Sequence, residues 1–134
     1  MDKTIAHLGF IQGVISRMGT NSFLLKGWSV TLVAAIFALS AKDADHRFVL
    51  LSYFPVIVFW ILDAYFLHQE RLFRKLFEEV AGGRIQSDQF SMNTAIVRDM
   101  VSPLATILFS KTLLMFHGAI VAIVLFAMFA IMKP

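Results

Sequence analysis

The sequence predicts an all-α integral membrane protein with three transmembrane helices, an N-terminal amphipathic helix and a cytoplasmic helical stalk. Three observations carry the prediction. The 134-residue chain is 58% hydrophobic, with a mean hydropathy of +0.74; soluble domains are about 45–50% apolar even when glycine is counted. Three runs, 22–41, 48–67 and 112–132, each reach the length of about 20 residues that crosses ~30 Å of hydrocarbon. The basic residues are also partitioned. An inside N-terminus puts Lys3, Arg17, Lys26, Arg71, Arg74, Lys75, Arg84, Arg98 and Lys111 on the cytoplasmic side and leaves Lys42, Arg47 and Lys133 outside. That is the bias which orients multi-pass proteins. Asp43 and Asp45 further offset the outer loop.

The chain has room for one membrane domain, 1–134, and none for an added soluble enzyme domain. Without cysteine, disulfide and thiolate chemistry are excluded. The first twenty residues lack the early apolar core of a cleavable signal. Instead Ile5, Leu8, Ile11, Val14, Ile15 and Met18 recur at helical spacing. This predicts an amphipathic helix over 4–18, lying on the inner membrane surface. Gly19, Thr20, Asn21 and Ser22 then supply a turn and an N-cap for the first span, 22–41.

The second span, 48–67, reads on without a breaker as a stalk to Val80. The 33 residues from 48 to 80 make a helix about 50 Å long, roughly 20 Å more than the membrane core. Along the stalk Leu72, Phe73, Leu76, Phe77 and Val80 form an apolar stripe. Glu70/Arg74, Arg74/Glu78 and Lys75/Glu79 are opposite charges four residues apart. Gly82 and Gly83 end the helix. A cytoplasmic loop with a short helix follows over 82–101. Ser102 and Pro103 then form a helix start, cap followed by proline, for an interfacial segment over 103–110. From Pro103 the pattern allows a helix unbroken to the end of the third span, 112–132. The apolar stretch 100–109 is short for a span; if it crosses, the helices number four.

Two ionisable residues stand out. Asp63 lies four residues before the end of the second span, and His117 lies five residues into the third, which enters from the same face. Equal depth lets them meet as a pore or polar membrane site. Gly27, Thr31, Ala35 and Ala38 share one face of the first span, and Gly118 and Ala122 one face of the third; small residues at this spacing let helices approach closely. The stalk stripe needs a cover, which the amphipathic helix, the 84–100 segment, another copy or a protein partner would provide. Trp28, Tyr53 and Tyr65 fit interfacial anchoring, and the deeper Trp60 fits packing.

No phosphate-binding glycine loop, HExxH or other metal-ligand spacing occurs. The expectation is no enzyme, no cofactor, no metal and no nucleic-acid partner. The basic run Arg71, Arg74 and Lys75 is offset by Glu70, Glu78 and Glu79 and suits anionic lipid.

The stretch 21–28 (NSFLLKGW), followed by 62–67 (LDAYFL) and 69–75 (QERLFRK), resembles a group of small bacterial inner-membrane proteins of unassigned function. These are loosely associated with anti-phage defence operons, where small membrane effectors permeabilise the inner membrane. The resemblance covers mainly residues 20–80. It implies a bacterial inner-membrane location and a role in antiviral defence, and it transfers no catalytic residue. Together these readings predict a homo-oligomeric ion channel or membrane-permeabilising effector in the lipid bilayer, gated through its stalk. The alternatives are a membrane anchor that recruits a cytoplasmic protein partner and, third, a small proton-coupled transporter.

Overall fold

The computed structural model describes residues 2–43 and 47–131. Asp45, Lys133 and Met132, the end of the expected third span, lie outside the described residues, as does the side chain of Asp43. The described residues are helical and contain no strand: α1 is Asp2–Asp43, α2 is Arg47–Leu51, α3 is Tyr53–Ala81, a 3₁₀ turn covers Ala95–Met100, α4 is Leu104–Leu108 and α5 is Lys111–Ile131. Three helical stretches are long and apolar enough to cross a membrane: Asp2–Lys42, Arg47–Ala81 and Lys111–Ala130.

The turn expected at 19–22 is absent. α1 runs through it as one helix of 42 residues, about 63 Å long. Glycines disfavour such a run by up to about 1 kcal/mol each, but α1 lies antiparallel along α3, and tertiary packing outweighs propensity. At Gly19 the chain passes Glu70, whose Oε1 lies 3.9 Å from where a Cβ would stand. Ser22 does not cap a helix; its hydroxyl serves α3 instead.

The segment expected to lie flat on a membrane surface packs on the stalk. Ile11 and Ile15 of α1 are buried with Leu72, Leu76 and Val80 of α3 and Val97 of the 3₁₀ turn. Leu8, Phe73, Phe77 and Ile85 close around them. The stripe is therefore covered by two of its expected covers, both from the same chain. The helical spacing of 4–18 was a sound signal, but burial against a partner helix produces the same spacing as burial in lipid.

α3 ends as the glycine pair predicts. Gly83 takes a left-handed φ of 77°, which glycine adopts at little cost. Its N–H reaches Val80 O at 3.1 Å, and the Arg84 N–H reaches Glu79 O at 3.0 Å, the pairing that closes a helix C-terminus. Arg84 folds back over Gly82 to bond Glu79. A Cβ at Gly82 would lie 2.7 Å from the guanidinium, so a larger residue there would push the Arg84 side chain aside.

Two expected continuities are broken. The helix from 48 to 80 is interrupted at Ser52. Pro55 has no N–H to give the Leu51 carbonyl, and its ring crowds that position. Ser52 turns its hydroxyl back to Val49 O at 2.5 Å. The run from Pro103 to 132 breaks between α4 and α5. Pro103 is the extended cap rather than the first helical residue. The Leu108 carbonyl bonds the Trp60 indole N–H at 2.8 Å instead of continuing the ladder. With five residues, α4 is far too short to cross a membrane, so no fourth span forms among the described residues. Beyond the break Val33, Val49, Val56, Ile120 and Val124 join α1, α2, α3 and α5 in a second apolar cluster. A third, smaller cluster of Ala64, Ile107 and Leu113 seats α4 beside α3.

Leu76→Ala should cost about 2–5 kcal/mol of local stability. Hydrogen exchange should show faster opening of the stalk amides with the α5 amides unchanged. The Arg84 guanidinium bonded to Glu79 holds that carboxyl below its ordinary range. A lowered folded value means the contribution is present above the unfolded pKa and lost as pH falls through the folded one. Acidification through the carboxylate range should thus loosen the end of α3, and Glu79→Gln should flatten that pH dependence in the same exchange measurement.

Candidate functional site

Between the stalk cluster and the far apolar cluster, three helices converge on one carboxylate. Asp63 is fully buried on α3. Arg47 to Asp63 is about 24 Å along the helical path, and His117 to Ile131 about 21 Å. Two long helices thus bring ionisable groups to the same level. Asp63 Oδ2 accepts from His117 Nε2 at 2.8 Å and from Lys26 Nζ at 2.6 Å. The Ser22 hydroxyl donates to Oδ1, and Lys26 also donates to Ser22 Oγ at 2.8 Å. Ser22 and Lys26 stand one turn apart, so a single face of α1 presents both.

Aromatic rings seal the group. Trp60 stacks on the His117 ring at 5.8 Å with the planes 8° apart, and Phe116 meets it edge-on at 5.0 Å. Lys26 Nζ sits 5.8 Å from the centre of the Phe116 ring, within cation–π range. Asp63 and His117 side chains are wholly covered, while Lys26 keeps 21% exposure.

The geometry sets the histidine tautomer. Nε2 faces a carboxylate and carries a proton. Nδ1 is buried without a hydrogen-bond partner. In chemical terms the cluster is a charge-compensated clamp with one unpartnered ring nitrogen. It ties α1, α3 and α5 together where isolated charges would each cost several kcal/mol.

The sequence pair Asp63 and His117 is thus in direct contact. Lys26 and Ser22 were missed as site residues, although a signal was present. Asp63 is the one acid in the three apolar runs and Lys26 the one basic residue inside their first 20 residues. A buried cation calls for a buried anion. The small-residue faces are not used within the chain. Gly27, Thr31, Ala35 and Ala38 are uncovered, as is Ala122, with Gly118 half-buried. The stalk residues Leu72, Leu76 and Val80 are buried, and Phe73 and Phe77 pack at their margin.

A second buried histidine went unnoticed. His7 is fully covered near the start of α1. Its ring donates from Nε2 to the Ser91 carbonyl at 2.6 Å and accepts the Ser87 hydroxyl at Nδ1, 2.9 Å away. Phe90 stands edge-on to it with a positive φ of 49°. His7 thereby pins the loop between α3 and the 3₁₀ turn to the end of α1. No local pattern marks this, because the partners lie 80 or more residues apart. Comparison with family models, curated proteins and solved structures finds no match to this chain.

Removing one partner of a buried charge pair strands the other. Asp63→Ala should destabilise by about 3–5 kcal/mol. Lys26→Met with Asp63→Leu should restore much of that loss, a coupling a double-mutant cycle in mild detergent would measure. Additive losses would show that the pair is not coupled.

Proposed function

We infer that the protein inserts α1, the 48–67 part of α2 and α3, and α5 into a bacterial inner membrane, N-terminus inside. There it acts as a homo-oligomeric channel or membrane-permeabilising effector gated through its stalk. The observation that carries this reading is continuity. α1 and α3 pass without a break from the stalk cluster around Ile11 and Leu76 to the clamp around Asp63. A displacement at the stalk acts through two stiff helices on the contacts that hold the three spans together. Three helices enclose too little volume for an aqueous path, so conduction requires several copies. The uncovered face of Gly27, Thr31, Ala35 and Ala38 suits close approach by another copy. The basic residues favour the stated orientation.

The anchor reading loses part of its motive, because the stalk stripe is covered by α1 and the 3₁₀ turn of its own chain. The proton-coupled reading keeps one specific support, the buried and unpartnered Nδ1 of His117. In that reading the protein moves a solute when His117 gains and loses a proton against Asp63.

Induced expression in bacteria should lower the membrane potential, read with a potential-sensitive dye. Thr31→Trp, on an uncovered face, should block oligomer formation and this effect without unfolding the chain. Potential and growth left intact under every trigger tried would defeat the channel reading. Solute uptake that follows the pH gradient and is lost in Asp63→Asn would favour the transporter instead.

A further inference from the structure

α1 and α5 both pack on α3 and leave a cleft of about 680 Å³ between them. Its chemistry is sorted along its length. At the end nearest the stalk it is lined by Lys26, Lys111 and Thr112. Deeper along α5 it is lined by Met115, Ala119 and Ile123, with no further charge. From Lys111 to Ile123 is about 18 Å along the helix, close to half of the ~30 Å hydrocarbon core. With the helices inserted as proposed above, the cleft has the depth of one leaflet and its cations lie at headgroup level.

The cations are available. Lys111 is exposed and has no ion-pair partner among the described residues. Lys26 has three donors, of which Asp63 and Ser22 take two. Its third has no hydrogen-bond partner of its own among these contacts, and Lys26 lines the cleft. Asp63 answers the charge of Lys26, so the cleft carries the positive charge of Lys111 uncompensated.

We propose that this cleft is a binding site for one anionic phospholipid. Its phosphate is held by Lys111, Thr112 and the free donor of Lys26, and one acyl chain lies along Met115, Ala119 and Ile123. Charge complementarity and the leaflet-deep apolar wall favour a lipid over a helix of a second copy, which would bring no anion to Lys111. Because Lys26 belongs to both sites, the bound lipid sits directly against the Asp63 clamp. The site does not depend on channel activity, so it stands or falls apart from that reading.

Native mass spectrometry of the full chain, released from mild detergent with added phosphatidylglycerol, phosphatidylcholine or glycerol phosphate, tests it. One phosphatidylglycerol per chain should survive activation that strips phosphatidylcholine. Lys111→Gln should weaken retention about fivefold, the effect of one lysine near an anionic surface. Ala119→Trp should abolish it by filling the acyl path, and Ile123→Trp serves the same purpose if Ala119→Trp does not fold. Equal retention of the two lipids, or unchanged retention in Lys111→Gln and the tryptophan variants, would overturn the proposal. So would glycerol phosphate held as firmly as the lipid, or a lipid-free dimer that Ala119→Trp dissociates.

Discussion

The fold depends on one buried carboxylate. Asp63 receives a lysine, a histidine and a serine from two other helices, and no other polar contact joins all three long helices among the described residues. Apolar surface alone gives helices in lipid little reason to associate, because lipid tails are as apolar as the side chains. A carboxylate in such surroundings is costly unless paired. It therefore selects the one arrangement in which Ser22, Lys26 and His117 surround it. Register along α1, α3 and α5 follows from that requirement.

Around the clamp, packing changes character. Toward the charged ends of α1 and α3, Ile11, Ile15, Leu72, Leu76 and Val80 form a conventional apolar core, closed by the loop that His7 holds. Toward the other end, Val33, Val56 and Val124 meet in a thinner cluster, and large side chains such as Phe54 and Phe126 remain more than 70% exposed. The second pattern leaves its apolar surface open on helices long and apolar enough to cross a membrane. Stalk and spans share the same two helices, so neither can shift without loading the clamp between them.

The proposed activity and the proposed lipid site meet at Lys26. It balances Asp63, covers Phe116 and opens on the cleft beside Lys111. A change in headgroup occupancy there would alter the electrostatics of the clamp through the same ammonium group. Lipid composition and stalk position thus become two inputs to one polar cluster.

The sequence by itself determined the class of structure, the three apolar helices and the helix end at Gly82 and Gly83. Each of these rests on local properties: run length, helical spacing and backbone freedom. It also brought Asp63 and His117 to one level, because depth along a helix is a matter of counting residues. Tertiary structure decided the rest. It made α1 continuous through Gly19, since packing on α3 outweighs a local turn preference. It turned an expected surface helix onto the stalk, since an apolar face has the same spacing whatever covers it. It ended α4 early because Trp60 took the Leu108 carbonyl. It completed the clamp with Ser22 and Lys26, and the loop clasp with His7, because the partners of a buried polar group are chosen by proximity in space, which spacing along the chain does not encode.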